Sequence, residues 1–329
     1  MEDIARRVLD GDQRALSRAL SLLEQNSPQA PEVMKSIDLN TGRCYTVGIT
    51  GPPGAGKSTI VNRLTELLRA RGLTVGIIGV DPTSPFSGGA LLGDRIRMQR
   101  HYMDQGVFIR SVATKGQSGG VPRLVKSMVR LLDAAGKDVV LVETVGVGQT
   151  ELGIMGVADT VLVVLMPESG DAVQTLKAGI MEIADIYLVN KADRAGAGQM
   201  AAAITSMLQT SIIQPDWAPP VLMSTAHTGD GIEELWMGVQ RHKEFSEANS
   251  LLTGRRERRR ENEFLEAVED EIRKRIKVGI DENPEIRATL REVVAKELEP
   301  YSAAIDFLDS DLDFKAAWQE SSPPDHGCR

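Results

Sequence analysis

Gly-Pro-Pro-Gly-Ala-Gly-Lys-Ser-Thr, residues 51–59, is the most specific motif of this chain. It follows the apolar run Tyr45–Thr50 and leads into the amphipathic segment Ile60–Arg71, so the context is a strand, a loop and a helix. In that context the pattern G-x-x-x-x-G-K-[ST] predicts a phosphate-binding loop, in which backbone N–H groups and a helix N-terminus surround an anion. The donors expected from position are Gly54, Gly56, Lys57, Ser58 and Thr59.

Two side chains of this loop are expected to contact the phosphates or the metal directly. The Lys57 ammonium would reach the β- and γ-phosphates, and the Ser58 hydroxyl would be a ligand of Mg²⁺. Pro52 and Pro53 have no N–H to donate, but they lie in the earlier half of the loop, where fewer donors are needed. The loop therefore predicts binding of a nucleoside triphosphate.

A second motif indicates which base is bound. Ile186–Asn190 is typical of a buried strand, and it ends in Asn190-Lys191-Ala192-Asp193. At a strand end, an N-K-x-D sequence recognises guanine in GTPases, because the Asp carboxylate accepts from the N1–H and the exocyclic amine. Adenine lacks that pair of donors and would leave the carboxylate unsatisfied.

A third segment supports guanine. The short strand Val221–Ser224 precedes Thr225-Ala226-His227-Thr228-Gly229, which resembles the S-A-x-x-G segment that lies against guanine in GTPases. The expected ligands are therefore GTP and GDP. The residues expected to lie around the base are Asn190, Lys191, Asp193, Thr225 and Ala226.

Magnesium ligands are expected at the ends of two further strands. Asp138–Val142 is a near-continuous apolar run, as in a strand buried in a parallel sheet, and Glu143 follows it at the place of the D-x-x-G motif. Glu143 offers Mg²⁺ a carboxylate, as the Asp of that motif would, but on a longer side chain. Gly146 would donate its N–H to the γ-phosphate. Val75–Val80 is the other run, and Asp81 follows it.

Asp94 is the remaining metal candidate, because Mg²⁺ prefers a few carboxylates and several waters. The alternative for Asp94 is an N-cap before a helix over Arg95–Tyr102. The metal candidates are therefore Ser58, Asp81, Asp94 and Glu143.

The alternation of strand and helix patterns along the chain predicts an α/β protein with a doubly wound, mostly parallel sheet. Apolar strands alternate with amphipathic helices over residues 44–250, the predicted nucleotide-binding domain. Residues 1–43 are expected to be an N-terminal helical extension, in which Asp12 caps a helix, followed by a linker over Asn26–Arg43.

Beyond residue 250 the pattern becomes helical. Apolar residues recur every three or four positions over residues 265–276, Pro284 is expected to begin another helix, and Pro300 to end it. Residues 251–308 are therefore a predicted helical arm, and residues 309–329 are expected to be disordered. From the pattern alone, the arm either packs on the nucleotide-binding domain or associates with another chain.

Composition excludes several classes of function. A net charge of −8 argues against a nucleic-acid surface, and the basic run Arg255–Arg260 is interpreted as a solvated helix start. No apolar stretch approaches a membrane span, and the N-terminus lacks a signal-peptide core. Two cysteines, Cys44 and Cys328, fit a reducing compartment, so a cytoplasmic location is expected.

Three stretches carry a resemblance to a known family. VDPTSPFSGGALLGDRIRM (80–98), VETVGVGQTE (142–151) and GDAVQTLKAG (170–179), together with the two nucleotide motifs, resemble the MeaB-type or ArgK-type GTPases. These proteins act as chaperones of cobalamin-dependent acyl-CoA mutases, and the similarity extends over most of the chain. The resemblance implies that Ser58, Asp81, Asp94 and Glu143 form the metal site. It also implies that Lys177 is a switch lysine and that the helical arm forms a homodimer.

The sequence also predicts how hydrolysis is controlled. Many GTPases have a glutamine directly after D-x-x-G that orients the attacking water, but here that position is Val147. Slow hydrolysis by the isolated chain is therefore expected. A bound partner would bring Gln149, Lys177 or Arg97, or an arginine of its own, to the γ-phosphate.

Two other classes of function stay open at this stage. A nickel-type metal-insertion GTPase would need clustered Cys and His ligands, which the scattered histidines do not provide. A small-molecule kinase would need a phosphoryl acceptor, and most use ATP, which Asp193 disfavours. The preferred interpretation is a GTPase that gates adenosylcobalamin loading and reactivation of an acyl-CoA mutase. The sequence leaves open whether that mutase uses methylmalonyl-CoA or another substrate, and whether an adenosyltransferase is a further partner.

Overall fold

The computed structural model describes residues 2–81, 99–113, 123–144, 153–167, 183–210, 216–282 and 284–310. The chain divides into two compact units, of which the first ends at Arg259 and the second begins at Arg260. None of the helices in these ranges is long and apolar enough to cross a membrane. The predicted site residues that lie outside the described residues are Asp94, Arg97, Gly146, Gln149 and Lys177.

A parallel sheet of seven strands forms the centre of the first unit. Its spatial order is β3-β2-β4-β1-β5-β6-β7, and every neighbouring pair is parallel. The predicted α/β sheet is confirmed, and the strands predicted at Tyr45–Thr50, Ile186–Asn190 and Val221–Ser224 have those bounds. The strands are β1 Tyr45–Thr50, β2 Val75–Asp81, β3 Val107–Ala113, β4 Val139–Thr144, β5 Thr160–Leu165, β6 Ile186–Asn190 and β7 Val221–Ser224.

Helices of the first unit cover both faces of this sheet, and the second unit is helical. The helices are α1 Glu2–Leu9, α2 Gln13–Glu24, α3 Ala30–Ile37, α4 Lys57–Ala70, α5 Arg123–Ala134, α6 Ala197–Thr210, α7 Ile232–Ala248, α8 Leu251–Glu282, α9 Pro284–Val294 and α10 Pro300–Ser310.

Successive residues of each central strand enter two different hydrophobic cores. In β4, Val140 and Val142 pack with α1, α2, α3 and α5, whereas Val139 and Leu141 pack with α4 and α7. All four side chains are buried, because strand side chains alternate between faces and both faces are covered. This double burial explains why the strands are nearly continuous apolar runs in the sequence.

The N-terminal extension is partly as predicted. Asp12 caps α2, and its carboxylate accepts hydrogen bonds from the N–H groups of Arg14 and Ala15. The linker predicted over residues 26–43 is wrong in its middle, because α3 and a 3₁₀ turn at Asp38–Asn40 occupy it. Pro31 lies in the first turn of α3, where a missing N–H costs nothing, so this proline is compatible with the helix start at Ala30.

A similar correction applies in the second unit. Pro300 was expected to end a helix, but it is the first residue of α10. The preceding helix α9 ends at Val294, and Lys296 after it adopts a left-handed conformation with φ 63°. Leu298, which a helix continuing to Pro300 would have included, therefore lies outside α9. A proline at the first helical position is again compatible with a helix start.

The basic run at the start of α8 was predicted to be solvated, but Arg255, Arg256 and Arg259 are half-buried in ion pairs, while Arg258 and Arg260 are exposed. Arg256 Nη2 lies 2.6 Å from Asp159 Oδ2, and Arg259 Nη1 lies 3.0 Å from Asp159 Oδ1. Arg259 also donates to the carbonyl of Met155 in a 3₁₀ turn, and to those of Val157 and Ala158, which lie between this turn and β5. We call Arg256, Arg259 and Asp159 the arginine clamp.

A second acidic residue extends this attachment. Arg255 Nη2 lies 3.1 Å from Asp185 Oδ1, which also lies 3.2 Å from Nε2 of the fully buried His242 in α7. Burial acts to raise the pKa of the Asp185 carboxyl, but its contacts with His242 and Arg255 outweigh burial and leave the pKa below its usual value. Both carboxylates lie beside the amino ends of β5 and β6, at the edge of the sheet opposite the predicted site.

Candidate functional site

The predicted phosphate loop joins β1 to α4, as the sequence indicated. Gly51 has φ 136°, and a Cβ there would lie 2.0 Å from the carbonyl oxygen of Val164 in β5. Gly56 has φ 93°, and a Cβ there would lie 2.3 Å from Nδ2 of Asn190. Only glycine fits either position, so the loop lies directly against β5 and the end of β6.

The N-terminus of α4 has the features of an anion site. Its N-cap is Gly56, and no side chain caps the helix there, so its first N–H groups are not bound by a capping side chain. Lys57 is buried, and its Nζ donates to the carbonyls of Gly51 and Pro52 at 2.7 and 3.0 Å. The ammonium therefore lies inside the curve of the loop, while Thr59 is exposed on the first turn of the helix.

The structure brings two of the predicted metal ligands together. Ser58 Oγ donates to Glu143 Oε1 at 2.7 Å, and both side chains are buried. Glu143 lies opposite Ile49 of β1 and Gly79 of β2 in the sheet register, so its carboxylate belongs to the carboxyl edge beside the loop. Asp81 is the last residue of β2 and lies at the same edge.

This donor set fits a hard divalent cation, because both side chains offer oxygen atoms next to the phosphate loop. No group of three or more His, Cys, Asp or Glu residues in the described part of the chain is arranged to hold a metal ion. A cation such as Mg²⁺ would therefore depend on Ser58, on Glu143 and on oxygens supplied by nucleotide and water.

Asn190 connects the phosphate side of the site with the base side. Its Nδ2 donates to the carbonyl of Ala55 in the loop at 2.7 Å. Its Oδ1 accepts from Ser224 Oγ and from the N–H of Ala226, both at 3.1 Å. Asn190 is buried, and these three contacts use both polar atoms of its amide, so it acts as a brace between segments.

Asp193 follows Asn190 in the loop after β6. Lys191 has a left-handed backbone with φ 59°, which turns the chain sharply after β6. Its ammonium lies 3.3 Å from the sulfur of Met166 in the segment after β5. The N–H of Ala192 donates to the carbonyl of Ser224, and Asp193 beyond it is exposed. Its carboxylate is thus presented at the carboxyl edge of β6.

The segment after β7, the strand that pairs with β6, forms a closed turn. Thr225 donates its N–H to the carbonyl of Asp230, and the Thr228 hydroxyl contacts the carboxylate of Asp230 at 2.6 Å. Thr225 and Ala226 are both buried. The predicted base-side residues therefore converge on the ends of β6 and β7, next to the loop after β1.

Sequence reasoning missed one residue of this region. Arg63 lies on α4, six residues after Lys57, and it donates to the carbonyls of Ala226 and His227. No local sequence signal marks it, because an arginine within an amphipathic helix is expected to face solvent.

The fold and these segments define a class, the P-loop GTPases. Within that class, the family model for methylmalonyl-CoA mutase-associated GTPase MeaB matches residues 16–281. The chain therefore belongs to the MeaB family, and the resemblance inferred from the sequence motifs is confirmed.

Individual relatives agree with this assignment. A protein of Pyrococcus horikoshii whose name describes it as a GTPase is 46% identical over 307 residues, covering 92% of this chain and 96% of the relative. The mitochondrial methylmalonic aciduria type A homolog of Mus musculus is 30% identical over 318 residues, covering 90% of this chain and 76% of the relative. The crystal structure of a LAO/AO transport system kinase superposes with a TM-score of 0.70 at 27% identity, covering 96% and 97% of the two chains. The protein is thus a GTPase that binds guanine nucleotides.

Proposed function

We propose that this GTPase is a chaperone of a cobalamin-dependent acyl-CoA mutase, in which GTP controls loading and reactivation of the mutase cofactor. The observation that carries the proposal is the family match over residues 16–281, whose description contains the mutase association. The relative from Mus musculus, named for methylmalonic aciduria, favours methylmalonyl-CoA mutase as the partner.

The residues of the site have separate roles in this proposal. The backbone of Gly54, Gly56 and the first turn of α4 binds phosphates, and the Lys57 ammonium compensates their charge. Ser58 and Glu143 would hold Mg²⁺ together with Asp81, and the metal would screen the phosphate charge. The Asp193 carboxylate recognises guanine.

Hydrolysis in this scheme depends on the partner. Val147 cannot orient water, so the isolated chain turns over slowly, and Gln149, Lys177 or Arg97 reaches the γ-phosphate only when the mutase is bound. GTP and GDP can drive such a cycle only if the mutase binds the two nucleotide states with different affinity.

The test is GTP turnover by the purified chain with and without the mutase. We expect the rate of phosphate release to rise at least several-fold with the mutase, and to saturate with its concentration. The matched control is the same mutase with a Lys57→Ala variant, which should show no stimulation because the phosphate site is lost. Equal and fast rates with and without the mutase would reject partner-gated hydrolysis.

Magnesium binding is tested at Glu143. Glu143→Gln keeps the size of the side chain but removes the negative charge that faces Ser58, so Mg²⁺ should support GTP binding about 10–100-fold less well. The measurement is a Mg²⁺ titration of GTP affinity. Glu247→Gln, at an exposed position near the end of α7, is the matched control and should leave the titration unchanged. A superimposable titration for both variants would remove Glu143 from the metal site.

Self-association through the helical arm is also part of the proposal. Several large apolar side chains of the second unit are exposed, which a second copy of the chain would cover. Sedimentation of the purified chain at twice its mass is the expected result, and a monomer mass would contradict it. The exposed apolar side chains that a second copy would cover are Phe264, Leu265, Leu290, Val294 and Tyr301.

A further inference from the structure

We propose that Arg63 is a positioning residue that fixes the base-side segment to the phosphate-loop helix and thereby sets how long guanine nucleotide stays bound. Arg63 Nε donates to the carbonyl of Ala226 at 3.1 Å, and Nη2 donates to the carbonyl of His227 at 2.5 Å. One guanidinium thus holds two successive carbonyls of the segment predicted to lie against guanine. The inference rests on the proposed base site.

The orientation of this guanidinium is itself fixed. Its third nitrogen, Nη1, donates to Glu66 Oε2 at 2.8 Å, one turn further along α4. The Arg63 side chain is only 30% exposed, so part of its length is packed between the helix and the segment. All three nitrogens of the fork therefore have an acceptor, which limits the rotation of the side chain.

Arg63 and Asn190 together bind both polar groups of Ala226, its carbonyl and its N–H. The N–H of Ala226 is held by Asn190, and Asn190 is bound in turn to the carbonyl of Ala55 in the phosphate loop. The carbonyl of the same residue is held by Arg63 from α4, the helix that begins at Lys57. The peptide of Ala226 is thus tied to the phosphate loop from one side and to its helix from the other.

This connection has a consequence for bound nucleotide. A nucleotide contacts both the phosphate loop and the base-side segment. The time for which it stays bound therefore depends on how firmly these two segments keep their relative position. Without Arg63, the carbonyls of Ala226 and His227 would lose their link to α4, and the contacts to the base would open more often. Contacts to the phosphates would be unaffected, because the loop and the N-terminus of α4 do not involve Arg63.

The experiment measures release of a fluorescent GDP from the full chain, together with displacement of that GDP by tripolyphosphate, a triphosphate without a base. For Arg63→Met we expect GDP release to be about tenfold faster, because two hydrogen bonds from a charged donor are lost at a partly exposed position. The dissociation constant of tripolyphosphate should stay unchanged. Arg63→Lys should also release GDP faster than the wild type, because a lysine cannot hold two carbonyls in one plane.

Two controls separate this inference from its alternatives. Arg71→Met removes a guanidinium at the end of the same helix, whose partner is Glu233 of α7, and it should leave GDP release unchanged. Asp193→Asn tests the base site itself in the same assay. If Asp193→Asn speeds release but neither Arg63 variant does, the role of Arg63 is wrong and the base site stands.

The remaining outcomes also decide the question. If Asp193→Asn has no effect on GDP release, the proposed base site fails and the inference fails with it. If Arg63→Met weakens GDP and tripolyphosphate equally, Arg63 supports the whole of α4, and a specific role on the base side is excluded. Should Arg63→Met not fold, the Arg63→Lys variant gives the same decision.

Discussion

Asp193→Asn is expected to lower the affinity of the protein for GTP by about 10³-fold or more. In the proposed site the Asp193 carboxylate accepts from two donors of guanine, and an amide would place an NH₂ group against one of them. The side chain is exposed on the loop after β6, so the substitution should not disturb the fold. Contacts to the phosphates remain, and the preference for GTP over ATP should therefore disappear while weak binding of both persists.

Calorimetry with GTP, ATP and XTP in the presence of Mg²⁺ measures this effect. Xanthine carries an oxygen where guanine carries its exocyclic amine, so the new amide can donate to it, and XTP affinity should rise. Asp216→Asn is the matched control, because Asp216 is also exposed but lies before β7 and outside the site. A variant that keeps its GTP preference over ATP would show that another residue recognises the base.

The sequence predicted the strands and loops of this site well, because their signals are local. The glycines of the phosphate loop and the apolar runs of β1 and β6 depend on neighbouring residues, and the structure has these elements at the expected positions. The sequence also assigned Ser58 and Glu143 to one metal site, and the structure brings them together, since the loop before Ser58 follows β1 and Glu143 lies near the end of the adjacent strand β4.

Contacts between distant segments could not be predicted in the same way. Asn190 was expected at the base, but its amide is used by Ala55, Ser224 and Ala226, which come together only in the folded chain. Arg63 was missed for the same reason. Two prolines were interpreted wrongly: Pro31 as part of a linker and Pro300 as a helix end. Both lie in the first turn of a helix, and a proline in the sequence is compatible with either end of a helix.

The arginine clamp is the largest of these unpredicted contacts, because a run of charges normally indicates a solvated surface. Asp159 is 3% exposed, and besides Arg256 and Arg259 its carboxylate accepts from the N–H of Thr46 in β1. Three segments that are far apart in sequence, namely β1, the start of β5 and the start of α8, therefore meet at one buried carboxylate. Such a group is strongly coupled to the stability of the first unit.

Asp159→Asn is accordingly expected to lower the free energy of unfolding by about 3 kcal/mol, because it leaves two largely buried guanidinium groups without their counter-charge. The loss lies at the lower end of the range for broken buried pairs, since both arginines keep their bonds to backbone carbonyls. Urea unfolding measures it, and Glu233→Gln, which removes the exposed partner of Arg71, should cost less than about 1 kcal/mol.

A double variant distinguishes the clamp from a general effect of the substitution. Arg259→Met together with Asp159→Asn removes a charge from each side of the pair. If the two groups are coupled, the double variant should therefore be more stable than the sum of the single losses predicts. Strictly additive losses would mean that Asp159 stabilises the fold through Thr46 and Arg256 alone. Arg259 would then hold α8 to the sheet through its carbonyl contacts, with no contribution from the pairing of its charge with Asp159.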